Sequence, residues 1–176
     1  MSHASNKVDW CLRKATKELI ESYKHRGLIK VNVNKEKALA YVHKADYYLA
    51  ASFYLKEGSF SAICASTLFY AMYHCLLAIA AKHGYESGNQ ECTFALIEKL
   101  IEKREIDLDV RLLQKIYSFD PCEGDAVTSL ELREHYQYGT SLSLEDNAYE
   151  EQVTLAKEVI RAVKVIVRCE SEKRYL

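Results

Sequence analysis

Between residues 34 and 58, small and apolar side chains return every three or four positions. Ala38, Val42, Ala45, Leu49 and Ser52 follow one line, Tyr41, Tyr48 and Leu55 widen it, and Lys35, Lys37, Lys44 and Lys56 fall mostly off it. That period predicts an amphipathic helix, with Asn34 as its N-cap and Gly58 as its stop. The next run, from about Ser59 to Lys82, is apolar on every side. Ile63, Tyr70, His74, Leu77 and Ala81 form one face and Ala65, Phe69, Met72, Leu76 and Ile79 another, with no Asp, Glu, Lys or Arg from Ser59 to Ala81. Such a helix is either the centre of a bundle or a membrane span. Its hydroxyl and imidazole groups (Ser59, Ser61, Ser66, Thr67, Tyr70, Tyr73, His74) make a poor lipid-facing surface, so the bundle centre is expected and no membrane contact.

Weaker periodicities flank this pair. A first helix is predicted at about 8–26, ending near Gly27, followed by a β-like stretch, Leu28 to Val33, too brief for a sheet and read as a connector. After a turn bracketed by Gly84 and Gly88, helices are predicted at about 90–104, at about 108–118 with Asp107 as N-cap, and at about 126–138 ending at Gly139. Asp120-Pro-Cys-Glu-Gly-Asp125 is the one clear loop. The last helix starts near Ser143, where Ser143 and Asp146 resemble a capping box. Its stripe is Tyr149, Val153, Ala156, Ile160, Val163 and Val167, with Lys157, Arg161, Lys164 and Arg168 opposite. The sum is an all-α, up-and-down-like bundle of six to seven helices in a single domain.

Composition agrees with this. One proline and six glycines are too few for the many turns of a sandwich or barrel. The formal charge of −1 argues against a dedicated duplex-binding domain. The charge is unevenly spread, however. Residues 7–30 hold seven Lys/Arg against three acids, whereas residues 120–151 hold nine acids against Arg133 alone. A polyanion should therefore prefer the terminal helices. Six cysteines occur without a C-x-x-C pair, two of them, Cys64 and Cys75, inside the apolar helix. With no secretory pattern, they are expected to be free thiols of a cytoplasmic protein.

Phosphate loops, nucleophile elbows and zinc spacings are missing from the sequence. Glu131 and His135 are four apart, a pair that reads as a surface ion pair before it reads as a metal site, and no metal or cofactor is expected. The segment Leu132-Arg133-Glu134-His135-Tyr136-Gln137-Tyr138-Gly139 is the more informative one. On a helix Arg133 and Gln137 share a face with Tyr138 beside it, and an arginine fork binds phosphate in two places. The plain alternative is that Arg133 neutralises Glu131, Glu134 or another nearby acid. His74, with Tyr73, lies in the most apolar helix, where a lone histidine reads first as a hydrogen-bonded core residue and second as a base.

Taken in order, Ala45-x-x-Tyr48-Leu49, then Gly58-Ser-Phe60-Ser-Ala62, then Tyr70-Ala71-Met72-Tyr73-His74 with the Gly84 turn after it, resemble the core of HEPN domains. Glu131-Leu-Arg133-x-x-x-Gln137-Tyr138-Gly139 resembles the arginine-bearing helix of one prokaryotic branch, and the likeness spans about residues 33–168. It implies a helical bundle that forms a homodimer with the arginine helices near the interface. It also implies a role in an RNA- or nucleotide-linked system, such as a toxin–antitoxin or defence module, with a nucleotidyltransferase partner. Many members are metal-independent ribonucleases, and others are non-catalytic. The ribonuclease motif places a histidine between one and two turns after the arginine, where this chain has Tyr138, Gly139 and Thr140; His135 comes too early. Arg133 is carried over as the phosphate-facing residue, while the general acid/base is not. A phenol titrating near 10 makes Tyr138 a poor substitute. The expected site is thus Arg133 and Tyr138 as catalytic candidates, with Gln137, Tyr73 and His74 joining them around a ligand.

Overall fold

The computed structural model describes residues 2–118 and 126–169. Among these are seven helices: α1 (His3–Ser22), α2 (Lys35–Glu57), α3 (Ser61–Lys82), α4 (Gln90–Glu102), α5 (Val110–Ile116), α6 (Ser129–Tyr138) and α7 (Asp146–Arg168). The all-α bundle is therefore as the sequence predicts, and the Asp120–Asp125 loop lies outside the described residues.

α3 is the hub. It packs most extensively on α2, then on α7, and also meets α6 and α4. It is the one described helix long and apolar enough to cross a membrane, but most of it is buried against its neighbours. The hairpin from α2 into α3 is tight. Ser59 takes a left-handed φ of 65°, and Phe60 N–H donates to the Leu55 carbonyl at 2.8 Å. At the start of α3, Ser61 Oγ accepts from Leu144 N–H, just ahead of α7. At its end, the buried Lys82 ammonium donates to the carbonyls of Ile166 and Cys169, at the end of α7. α3 and α7 therefore run side by side in the same direction, and Lys82 satisfies carbonyls that the end of a helix leaves open. Burial pulls the Lys82 pKa below its ordinary value.

Leu28 to Lys30 does find a strand partner, which corrects its reading as a mere connector. It pairs antiparallel with Tyr85–Ser87, forming strands β1 and β2 of a two-stranded ribbon. Neither strand has enough alternating residues to be visible alone. Gly84 makes the ribbon possible: its φ is 74°, and a Cβ there would stand 2.8 Å from the Val31 carbonyl.

α1 starts five residues earlier than predicted, where the Ser2 side chain caps it, and ends at a left-handed Tyr23 rather than at Gly27. Gly27 instead lets the chain press onto α1, since a Cβ there would collide with the Cys11 carbonyl. α1 buries a narrow stripe, Ala4, Val8, Cys11 and Ala15, and packs on α4. There Cys11 and Cys92 form a disulfide with Cα atoms 5.9 Å apart. The expectation of free thiols throughout is corrected at this pair. Cys64 and Cys75 are free and buried and Cys169 is free and exposed. Two other capping expectations also change. Asp109, not Asp107, caps α5, and α7 begins after Glu145 without a side-chain cap or a Ser143–Asp146 box. The α7 stripe, Tyr149 through Val167, is buried as its spacing predicts.

Candidate functional site

α6 is set by a capping box. Thr128 Oγ1 accepts from Glu131 N–H, and the Glu131 carboxylate accepts from Thr128 N–H at 2.8 Å. That contact occupies Glu131, so its spacing with His135 no longer offers a free pair of ligands. Ser129 Oγ donates to Gln152 at 2.6 Å and ties the same turn to α7. One turn further on, Arg133 points into the bundle and is only 6% exposed.

The guanidinium is held on three sides. Nη1 donates to Gln137 Oε1 at 2.8 Å and Nη2 to Glu134 Oε1 at 3.0 Å, while Cζ stands 5.1 Å from the centre of the Phe69 ring on α3. A buried charge needs such compensation, and here a carboxylate, an amide and a π face share it. Among the described residues the buried Nε has no hydrogen-bond partner. Glu134, by contrast, is half exposed. The carboxylate can therefore swing into water, whereas the arginine stays. An anion that displaced Glu134 would meet an oriented guanidinium with an unused donor.

Phe69 begins a belt of rings across α3. It stacks on Tyr73 at 6.0 Å and meets Tyr70 at 5.4 Å. Tyr70 leads to Tyr48 of α2 at 6.0 Å, and His74 lies among Tyr48 (5.1 Å), Tyr41 (5.9 Å), Tyr70 and Tyr73 (6.5 Å each). His74 is 8% exposed and its Nδ1 has no hydrogen-bond partner among the described residues, so rings rather than hydrogen bonds hold it there. Burial, aided by Lys44, lowers its pKa to about 4, and the imidazole is neutral at pH 7. Burial raises the Tyr73 phenol pKa, and its hydroxyl pairs with Thr93 at 3.1 Å.

Of the expected residues, Arg133 and Gln137 are in direct contact, and Tyr73 and His74 join them only through Phe69. Tyr138 is 75% exposed and shares no hydrogen bond or ring contact with Arg133. Phe69, Tyr41, Tyr48, Tyr70 and Glu134 complete the arrangement. Tyr41 and Tyr48 were visible as a seven-residue repeat on α2, but which face of α3 they meet depends on the hairpin. Among the described residues no three His, Cys, Asp or Glu side chains gather to hold a metal. A large cleft lies elsewhere, between α5, α6 and α7, where Glu131, Glu150, Glu151 and Glu158 outnumber Arg111 and Lys115. That balance is unfavourable for a phosphate.

The fold and site define an all-α bundle with a buried arginine beside an aromatic belt. No protein-family model and no curated protein matches the sequence.

Proposed function

We propose that this is a HEPN-type protein acting in an RNA- or nucleotide-linked system such as a toxin–antitoxin or defence module, working with a nucleotidyltransferase. Arg133 contacts phosphate, Gln137 holds the guanidinium in plane, and Phe69 supports it from beneath. The observation that carries this reading is the buried guanidinium whose one anionic partner among the described residues, Glu134, is half exposed. The protein acts as a homodimer. The exposed side chains Tyr47, Tyr54, Phe60 and Ile63, along the open side of α2 and α3, support that assembly. The compartment is read as cytoplasmic. The Cys11–Cys92 disulfide stands against that compartment, and recovery of both residues as thiols from cells would support it.

Fluorescence anisotropy of labelled single-stranded RNA and of labelled AMP, with wild-type protein and Arg133→Ala, tests the phosphate contact. The reading expects binding that the substitution weakens at least tenfold, and equal binding by both proteins overturns it.

A second reading, a non-catalytic protein-interaction module, draws support from the state of the expected acid–base partners of Arg133. His74 is neutral and sequestered, the Tyr73 phenol is pushed up, and Tyr138 stands apart. A metal-independent ribonuclease with non-standard catalytic residues is the weaker alternative for the same reason. RNA cleavage without metal that is lost in Arg133→Ala would restore it.

A further inference from the structure

We propose that α1 carries a second nucleic-acid contact, a cationic ridge centred on Trp10 that binds single-stranded RNA. This deepens the RNA-linked reading by adding a surface separate from Arg133. On a helix of 3.6 residues per turn, Lys7, Trp10, Arg13, Lys14 and Lys17 fall within one sector, roughly a third of the circumference, turned away from the buried stripe of Ala4, Val8, Cys11 and Ala15. The acids of α1 leave this sector clear over three turns. Asp9 lies on the flank and pairs with Lys99 of α4, while Glu18 accepts from Arg26 N–H at 2.6 Å and lies 3.9 Å from Lys14. Glu21 enters the sector only in the last turn. Among the described residues, Arg13, Lys17 and Lys24 form no ion pair with an acid, so their charge is available to a polyanion.

Trp10 distinguishes this ridge from an ordinary solvated face. The indole is 44% exposed, with Lys7 Nζ 4.9 Å and Lys14 Nζ 5.1 Å from its ring. An aromatic face flanked by ammonium groups is the arrangement that stacks a base and holds its phosphates, and it suits a single strand, whose bases are free to splay. Along the edges of its buried stripe, α1 is held to α4 by the Cys11–Cys92 disulfide and by the Lys7–Glu91 and Asp9–Lys99 pairs, so Lys7 forms the α4-side border of the ridge, and Trp10, Arg13 and Lys17 at its centre stay exposed.

Trp10 is the single tryptophan of the chain, so its fluorescence reports the contact directly. Titration with poly(U) at low salt is expected to quench it. Log affinity should fall with log salt with a slope of about −2, as expected for about three neutralised phosphates of a single strand. The double substitution Arg13→Glu, Lys17→Glu, with an unchanged circular dichroism spectrum, is expected to weaken binding at least tenfold. If that variant is poorly folded, Arg13→Gln, Lys17→Gln is expected to lower the slope to about −1. No quenching by poly(U), quenching that both variants retain in full, or a response to phosphatidylserine vesicles and not to poly(U), overturns the proposal. Such a failure leaves the Arg133 reading standing, because that reading is measured through Arg133→Ala and not through Trp10.

Discussion

Arg133 combines two roles that ordinarily conflict. Its stem and guanidinium fill space against Phe69, and in the proposed site its charge would meet a phosphate in place of the half-exposed Glu134. Arg133→Ala should therefore destabilise the fold by about 1–3 kcal/mol in chemical denaturation, through lost packing and the lost π contact, in addition to its effect on binding. Glu134→Gln removes the competing carboxylate. It should tighten phosphate binding by about three- to tenfold, and a weaker complex would show that Glu134 belongs to the site rather than guarding it. His74 gives a separate test through pH. Its folded pKa, about 4, lies below the ordinary 6.5. The unfolded chain therefore binds the extra proton first as pH falls. The contribution to stability is fully present above about pH 6.5 and is lost progressively down to about pH 4, with a total of about 1–3 kcal/mol. Urea melts across that range should show this slope, and His74→Phe should flatten it.

The longest helices were legible because each keeps a stripe or a cap that needs no knowledge of its neighbours. Asn34 caps α2 where the sequence places it, and Tyr149 through Val167 bury as one line. The short elements were not legible in this way. β1 exists only because Gly84 brings Tyr85–Ser87 against it, and Asp109 rather than Asp107 caps α5 because two nearby aspartates are locally equivalent. The disulfide is the clearest case: helical spacing puts Cys11 on a buried face of α1 and Cys92 on one of α4, but not opposite one another. At the site, Arg133 and Gln137 follow from their four-residue spacing, whereas Phe69 beneath them follows only from the packing of α6 on α3. α1 buries so little apolar surface that the Cys11–Cys92 link, spanning 81 residues, should matter to its docking. Cys92→Ser should lower stability by about 2–4 kcal/mol under oxidising conditions and by far less in the presence of a dithiol. Equal melting of both proteins without reductant would mean that the link does not form in solution.

Across the whole molecule, charge and apolar surface are segregated. The basic ridge of α1 lies on the α4 side of the bundle, the acids crowd α6 and the start of α7, and the open side of α2 and α3 bears Tyr47, Tyr54, Phe60 and Ile63. Homodimerisation across that open side would cover apolar groups that water otherwise meets. The proposed dimer predicts that Ile63→Asp gives a monomer in analytical ultracentrifugation without unfolding, since Ile63 is half exposed within one chain. A dimer that survives the substitution would place the interface elsewhere. The central claim is that Arg133 meets phosphate, and its unpartnered Nε–H offers the most direct probe. In a nitrogen-15 NMR spectrum, the Arg133 Nε–Hε resonance, assigned by its loss in Arg133→Lys, should shift when AMP or a short single-stranded RNA is added. A resonance that stays fixed while others move would show that the ligand binds without Arg133, and would contradict the account.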